Sequence, residues 1–353
     1  MVAELVSARG EVPRGSLVVT VLVNWNGARD TMECLDSLLA QHHREHCVVV
    51  VDNGSKDDSV AQLDHWARQR FGSSQADETG ASGFLKIPAN AALDASSWRP
   101  GTSVYLVEAG RNLGFAGGVN VGLRFMLANP DAAFAWVLNN DTTADPRCLS
   151  SMLERLRADP QLGMCGSRIL YYHARDTVQV LGGGALRRLT GGTYLLGAEI
   201  AATSVVDPAS VERALDHLSG ASMLVSRRFL ENVGMMDEGY FLYYEECDWA
   251  ERGRGRFTYG YADDAVVFHK EGASIGSSSK RARRSELSDY FLVRSRLRFT
   301  RKFYPWALPT VLAYSFAAAA KALVRGQPRH ASVMLAAIAG ISPERALGWS
   351  PGP

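Results

Sequence analysis

Several absences narrow what this chain can be. Its five cysteines, Cys34, Cys47, Cys148, Cys165 and Cys247, are odd in number, widely spread and never spaced as Cys-x-x-Cys. That excludes a zinc ribbon or a disulfide framework, and suits small buried hydrophobes in a reducing compartment. Neither charge sign dominates: 38 Lys and Arg stand against 37 Asp and Glu. Nothing in that balance calls for nucleic acid as a partner. No Gly-x-Gly-x-x-Gly follows the first apolar segment, which argues against a dehydrogenase. There is no internal repeat. Residues 1–15 carry Glu4, Arg9, Glu11 and Arg14 with no apolar signal core, so 1–16 reads as a loose tail.

What is present, over 353 residues, suggests about two domains, or one large one with an appendage, by the rough ~150-residue rule. Leu17 to Asn24 is β-branched and apolar, fit for a strand buried on both faces. Asp30 to Gln41 places Met32, Leu35, Leu38 and Leu39 at helical spacing, Cys47 to Val51 is a second buried strand, and Ser59 to Arg70 a second helix. That alternation predicts a parallel sheet with right-handed crossovers. Residues 72–100, rich in Gly, Ala, Ser, Asp and Pro, read as a surface insertion. Ser103 to Glu108 resumes as a strand, followed by a glycine-rich turn and a helix from about Gly118 to Ala128. A further helix is expected near Pro146 to Ala158, and another near Glu245 to Arg252.

Five segments carry chemistry. Val51-Asp52-Asn53-Gly54-Ser55 ends strand two with an acid suited to a ribose or base, though a plain turn reads the same way. Arg111 to Asn120 offers Gly114, Gly117 and Gly118 for close backbone approach, and Arg111 for diphosphate charge. Ala135 to Asp141 is an apolar run ending in Asn139-Asn140-Asp141. A carboxylate there suits Mg²⁺ or Mn²⁺, hard ions that share oxygen ligands with phosphates. Phe241 to Trp249 sets Glu245, Glu246 and Asp248 among aromatics, where crowding raises a carboxyl toward general-base use, or where a helix N-terminus simply favours acids. His269 ends the run Val266-Val267-Phe268 and either completes a metal site with Asp141 or is structural.

In this order the five segments resemble the family-2 inverting glycosyltransferases of the GT-A fold, and within them the bacterial rhamnosyltransferase-like branch. The likeness covers roughly residues 17–300, leaving 72–100 unmatched. It implies an α/β, Rossmann-like nucleotide-binding globule with a mixed central sheet. Residues 17–160 would form the nucleotide-sugar half, 161–300 the acceptor half, and 301–353 a helical tail. Asp141 stands where the family's Asp-x-Asp metal motif belongs, with Asn139 departing from strict Asp-x-Asp and His269 as a second metal ligand. The donor would meet Asn24, Asn26, Asp52, Asn53, Arg111, Asn112, Gly114, Phe115, Gly118, Asn120, Asn139 and Asn140. Gly220, Ala221, Ser222 and Tyr244 would line the acceptor pocket. By position Glu246 is the base, with Glu245 its alternative and Asp248 a helper in acceptor binding.

The implied activity is metal-dependent, inverting transfer of a sugar from a dTDP- or UDP-sugar to a hydroxyl of a carbohydrate or lipid-linked acceptor, with rhamnose the branch's sugar. It belongs to cell-surface polysaccharide or glycolipid assembly. A small-molecule acceptor and a catalytically silent nucleotide-sugar-binding scaffold are the alternatives. A sugar nucleotidyltransferase would want a basic glycine loop after strand one, where this chain has Asn24-Trp25-Asn26-Gly27.

The tail carries two further expectations. Lys280 to Lys302 holds nine Lys or Arg, and Trp306 to Ala320 is uncharged, short of the ~20 residues a spanning helix needs. One reading is an interfacial anchor at the cytoplasmic face of the inner membrane, Arg294 to Lys302 facing anionic headgroups. The other is a pair of amphipathic helices packed on the catalytic domain, or on a second copy in a homodimer.

Overall fold

The computed structural model describes residues 17–72, 83–88, 94–271 and 285–350. It opens with the expected alternation of β1 (Leu17–Asn24), α1 (Ala28–Leu39), β2 (His46–Asp52) and α2 (Ser59–Phe71). Next come β3 (Phe84–Ile87), β4 (Val104–Glu108), α3 (Gly114–Leu127), β5 (Ala132–Asn139), β6 (Thr142–Ala144) and α4 (Cys148–Ala158). The middle runs through β7 (Leu162–Tyr171), β8 (Ala174–Leu181), β9 (Gly183–Arg187), β10 (Gly192–Leu195), α5 (Pro208–Ala214), β11 (His217–Leu218) and β12 (Ser222–Ser226). Then follow α6 (Arg227–Val233), α7 (Glu245–Gly253), β13 (Thr258–His269), α8 (Glu286–Phe303), α9 (Leu308–Val324), α10 (Pro328–Ile338) and α11 (Pro343–Leu347).

The central sheet is mixed. β1 lies between β2 and β5, all parallel, and β4 and β3 extend the parallel run. Beyond β5, β12 runs antiparallel to both β5 and β7, while β13 is parallel to β7 and pairs antiparallel with β6. β1 shows why its sequence is apolar throughout. Val19 and Val21 enter the core with α3, while Val18 and Leu22 enter the one formed with α1 and α4. Its register sets Asn24 beside Asp52 and Val23 beside Asn139, so three strands end together at one carboxyl edge.

Three expectations change. α3 begins at Gly114, about four residues early, so the glycine-rich stretch is helix rather than turn. Its glycines set how close the helix lies to the sheet: a Cβ on Gly122 would stand 2.3 Å from Val21 Cγ1, and one on Gly118 would stand 2.8 Å from Val23 Cγ1. Second, the 72–100 stretch is not wholly an insertion. β3 adds an edge strand to the sheet, and the Trp98 ring stacks on Phe125 at 4.5 Å between centroids. Residues 73–82 and 89–93 lie outside the described residues. Third, the C-terminal helices begin at Glu286, so α8 crosses the expected boundary at 301.

The tail packs on protein along one stripe and leaves another uncovered. Val311, Ser315, Ala319 and Ala322 of α9 are buried, whereas Trp306, Phe316, Leu323 and Val324 are exposed. Pro305–Val324 is a 20-residue helical stretch, apolar and long enough to cross a membrane by length and composition, and 28% buried. The basic stretch is not a uniform headgroup-facing surface. Arg296 is buried against Tyr244, Arg298 pairs with Asp237 at 3.1 Å, and Lys302 pairs with Asp237 at 2.8 Å and Asp248 at 2.6 Å. Residues 280–284 lie outside the described residues.

Gly122→Ala is expected to destabilise the fold by about 1–3 kcal/mol, because the methyl would force α3 from β1. Urea unfolding monitored by circular dichroism reads this out; an unchanged midpoint would show that the two elements separate freely.

Candidate functional site

A cavity of about 280 Å³ opens at the carboxyl edge of β1, β2 and β5. Asn53, Asn112, Gly114 and Phe115 line one side, and Asn139, Asn140, Asp141 and His269 the floor. Gly220, Ala221, Glu245 and Glu246 line the other. Twelve of the residues singled out from sequence thus share one space.

The side toward α3 is built on Asn53. Its amide nitrogen donates to the Gly114 carbonyl at 3.0 Å and to Asn112 Oδ1 at 3.2 Å, and its oxygen accepts from the Leu113 amide at 3.0 Å. Gly114, at φ 73°, must be glycine: a Cβ there would stand 2.6 Å from the Phe241 carbonyl oxygen. Close to that contact, the Phe115 amide donates to the same carbonyl at 3.1 Å, tying α3 to the acidic segment.

At the floor, His269 ends β13 one strand from β6, which follows Asp141 directly. Its Nδ1 donates to Gln179 Oε1 at 2.9 Å, which turns Nε2 toward Asp141 Oδ1 at 3.1 Å. Asn139 Nδ2 stands 3.4 Å from the same Nε2. Burial alone would lower the His269 pKa, but the Asp141 charge and hydrogen bond outweigh it and raise it. With Nδ1 committed to Gln179, a neutral ring aims a lone pair at a carboxylate, an arrangement relieved by a cation between them. Among the described residues no third His, Cys, Asp or Glu joins this pair. One carboxylate and one imidazole nevertheless suit Mg²⁺ or Mn²⁺, which keep several ligand positions for water and phosphate oxygens.

Glu245 and Glu246 open α7, and the backbone before them is unusual. Tyr243 and Tyr244 adopt φ 68° and 70°, left-handed conformations that bulky residues rarely take. The C-terminal helix holds this elbow. Ser295 Oγ donates to the Leu242 carbonyl at 2.8 Å, and Arg296 Nε donates to the Tyr244 hydroxyl at 3.2 Å. That hydroxyl in turn donates to the Gly191 carbonyl. Both glutamates keep a buried carboxyl oxygen, Oε2, without a hydrogen-bond partner among the described residues. Burial, then the charge of Glu246, pushes Glu245 well above the usual carboxylate range. Burial also raises Glu246, with the His217 charge working against it.

Nine expected site residues do not line the cavity. Asp52 is spent locally: its carboxylate accepts from Asn24 Nδ2 at 2.9 Å, from the Ser55 hydroxyl at 2.5 Å and from the Ser55 amide at 3.0 Å. Asn24 also accepts from Thr31 at 2.8 Å, and Asn26 accepts from the Lys56 amide at 2.8 Å, so both shape the loop. Arg111 lies exposed at the loop before α3, and Gly118 faces Val23 inside the helix packing. Asn120 ties α3 to Met236 and Glu238, and Ser222 accepts from the Trp136 indole at 3.1 Å. Tyr244 is packed beneath the elbow, and Tyr243 lines the cavity in its place. Asp248 is fully buried and pairs with Arg252 at 2.7 Å and with Lys302, so its carboxylate is spent on ion pairs outside the cavity.

Sequence reasoning missed Trp25, whose buried indole Nε1 has no partner among the described residues, and the apolar walls Phe241, Leu242, Leu287 and Trp349. It also missed Gln179, which sits on β8 two strands from His269 across β7. A tryptophan between two asparagines after strand one was a usable signal for Trp25. None existed for Trp349, some hundred residues after the acidic motif.

Tyr244→Phe is expected to cost about 1–3 kcal/mol, since it leaves the Gly191 carbonyl and the buried Arg296 without their shared partner. Thermal unfolding measures it, and a loss below a few tenths would show that the elbow holds without this contact.

Comparison with known proteins fits this geometry. Residues 19–75 match glycosyl transferase family 2. Over 180 residues, half of this chain, it is 25% identical to the low-salt glycan biosynthesis hexosyltransferase Agl10 of Haloferax volcanii. Over 189 residues, 49% of this chain, it is 28% identical to the N-acetylglucosaminyl-diphospho-decaprenol L-rhamnosyltransferase of Mycobacterium tuberculosis. The matches span 54% and 61% of those relatives' own lengths, so the chain covers little more than half of each. The mannosyltransferase PcManGT from Pyrobaculum calidifontis, solved with GDP-Man and Mn²⁺, superposes over 92% of this chain and 86% of its own. Its TM-score is 0.51 at 17% identity, a likeness of fold. The chain is thus similar to glycosyl transferase family 2 over residues 19–75, and its fold is like that of PcManGT.

Proposed function

We propose that this chain is an inverting glycosyltransferase assisted by Mg²⁺ or Mn²⁺. It moves a sugar from a dTDP- or UDP-sugar to a hydroxyl of a carbohydrate or lipid-linked acceptor. The observation that carries the reading is that two crowded, buried glutamates and the Asp141–His269 pair open into one cavity. Rhamnose as the transferred sugar rests on the 28% identity to the Mycobacterium rhamnosyltransferase.

Asp141 and His269 would hold the ion, with Asn139 and Asn140 beside them. When bound, the ion neutralises charge developing on the nucleoside diphosphate as it leaves. Asn53, Asn112 and the start of α3 cradle the donor, and the unpartnered Trp25 N–H is a buried donor awaiting an acceptor atom. Two neighbouring carboxyls cannot both ionise easily in a buried site. One of the pair therefore keeps its proton while the other serves as base, and by its place in the acidic motif that base is Glu246. As the acceptor oxygen bonds to C1 and the C1–diphosphate bond breaks, Glu246 takes the hydroxyl proton. Attack from the side opposite the leaving group inverts C1.

Turnover of a nucleotide sugar, measured by release of nucleoside diphosphate across a donor panel, should require Mn²⁺ or Mg²⁺ and fail in Asp141→Ala. Glu246→Gln should lower kcat by roughly 10²–10⁴-fold. Because the base must be ionised and its pKa is raised, activity should fall with acid through a limb above the usual carboxylate range. Donor binding without turnover in the wild type would sink the reading in favour of a silent binding protein.

The exposed apolar side of Pro305–Val324 lies on a membrane surface in this proposal, bringing the site to a lipid-linked acceptor. The protein should co-float with vesicles of phosphatidylglycerol and phosphatidylethanolamine. A protein left wholly in the soluble layer removes the membrane part.

A further inference from the structure

The short strand β11 of the small sheet β10–β9–β11 packs against α7 and carries a buried histidine, His217. Two glycines of β9 make room for it. His217 pairs with Gly184, where a Cβ would stand 2.8 Å from the ring Nε2, and a Cβ on Gly183 would overlap the His217 carbonyl. One ring nitrogen is committed: Nδ1 donates to the Leu218 carbonyl at 3.0 Å. A neutral ring therefore leaves Nε2 as a bare lone pair, and Nε2 is buried without a partner among the described residues. Glu246 has the complementary need. Its Oε1 stands at the catalytic cavity, 3.8 Å from where a Cβ on Gly220 would lie, whereas Oε2 is buried and likewise unpartnered among the described residues. Two buried acceptors within electrostatic reach of each other are both satisfied by one proton on the ring. The other ionisable groups around α7 are committed elsewhere. Asp216 accepts from the Leu186 amide at 2.8 Å and pairs with Arg254 at 2.9 Å, and Asp248 is bound to Arg252 and Lys302. Arg296 is held by the Tyr244 hydroxyl, and the Cys247 thiol, pushed well up by burial, stays neutral. At Glu245 the neighbouring charge is Glu246, which adds to burial; at Glu246 it is His217, which opposes burial. That difference divides two otherwise similar carboxyls.

We propose that His217 is a positioning residue that selects the base: as an imidazolium it directs Nε2–H at Glu246 Oε2, so that the negative charge shared by the two glutamates rests on Glu246 and its Oε1 meets the acceptor hydroxyl. The proposal rests on the glycosyltransferase reading and gives it a physical reason for Glu246 rather than Glu245. It also gives the glycines of β9 a role, since a side chain at Gly184 would press on the ring.

The test has two readouts on the full chain. The first is kcat against pH, at saturating Mn²⁺ and nucleotide sugar, for the wild type, His217→Gln, which keeps an N–H without a charge, and His217→Phe, which keeps neither. Loss of the imidazolium makes Glu246 harder to ionise, so the acid limb should move to higher pH by about half to one unit in His217→Phe. His217→Gln should fall between, and the donor KM should change by less than about threefold. A limb that stays in place overturns the proposal, whether kcat is intact or is lowered equally at every pH as a structural role would lower it. The second readout is the imidazole ¹⁵N spectrum near pH 6, which needs neither turnover nor a His217 variant and so decides if those variants fail to fold. The His217 imidazolium signal should weaken at least twofold in Glu246→Gln and persist in Glu245→Gln. An unchanged signal in Glu246→Gln, or an equal loss in both variants, overturns the proposal. Turnover in the wild type with an unmoved limb and unchanged spectra removes the role of His217 alone. A His217 signal that depends on Glu246, with no turnover across the donor panel, removes the glycosyltransferase reading.

Discussion

The site depends on a backbone elbow. Tyr243 and Tyr244 are held in left-handed conformations, each costing on the order of 1–3 kcal/mol for a residue with a Cβ. Nothing local in those two tyrosines favours such a turn. It persists because α8 fastens it from behind through Ser295 and Arg296, and because Phe241 just ahead of it accepts the Phe115 amide from α3. The elbow aims Glu245 and Glu246 into the cavity and leaves Asp248 outside it, paired with Arg252 and Lys302. Three acids within four positions are thereby divided into two kinds, a crowded pair at the cavity and a buried ion-pair partner.

This arrangement makes the C-terminal helices part of the site. α8 supplies the clasp, Leu287 and Trp349 supply walls, and Arg298 and Lys302 stitch the helix to Asp237 and Asp248. Among the described residues of the basic run, Arg296, Arg298 and Lys302 are therefore used inside the fold. What remains for an outside partner is narrower: the apolar outer side of α9 and the Arg294–Arg301 face of α8.

The parallel opening was legible because β1 and β2 are buried on both faces, which leaves a continuous apolar run that few other structures tolerate. The cavity floor was legible for a related reason, since a strand that ends in polar residues at a sheet's carboxyl edge has few other places to put them. Asp52 was not. Its carboxylate is consumed by Ser55 and Asn24, and no pattern distinguishes an acid that closes its own turn from one that faces a ligand. The start of α3 was misread because glycines usually break helices; here they let the helix lie against Val21 and Val23, a packing demand invisible along the chain.

Local sequence thus determined the strands of the parallel opening, the helices between them and the kinds of group at the site, because burial period and strand ends are properties of neighbours in the chain. Only the tertiary structure decided which of those groups face one another. Gln179 orients His269 from across β7, Ser295 and Arg296 hold an elbow about fifty residues upstream, and Trp349 closes a wall begun by Phe241. Each of these contacts joins residues about fifty to more than a hundred positions apart. They exist because the sheet and the C-terminal helices bring distant backbone within hydrogen-bond or van der Waals reach, and no short-range pattern encodes that proximity.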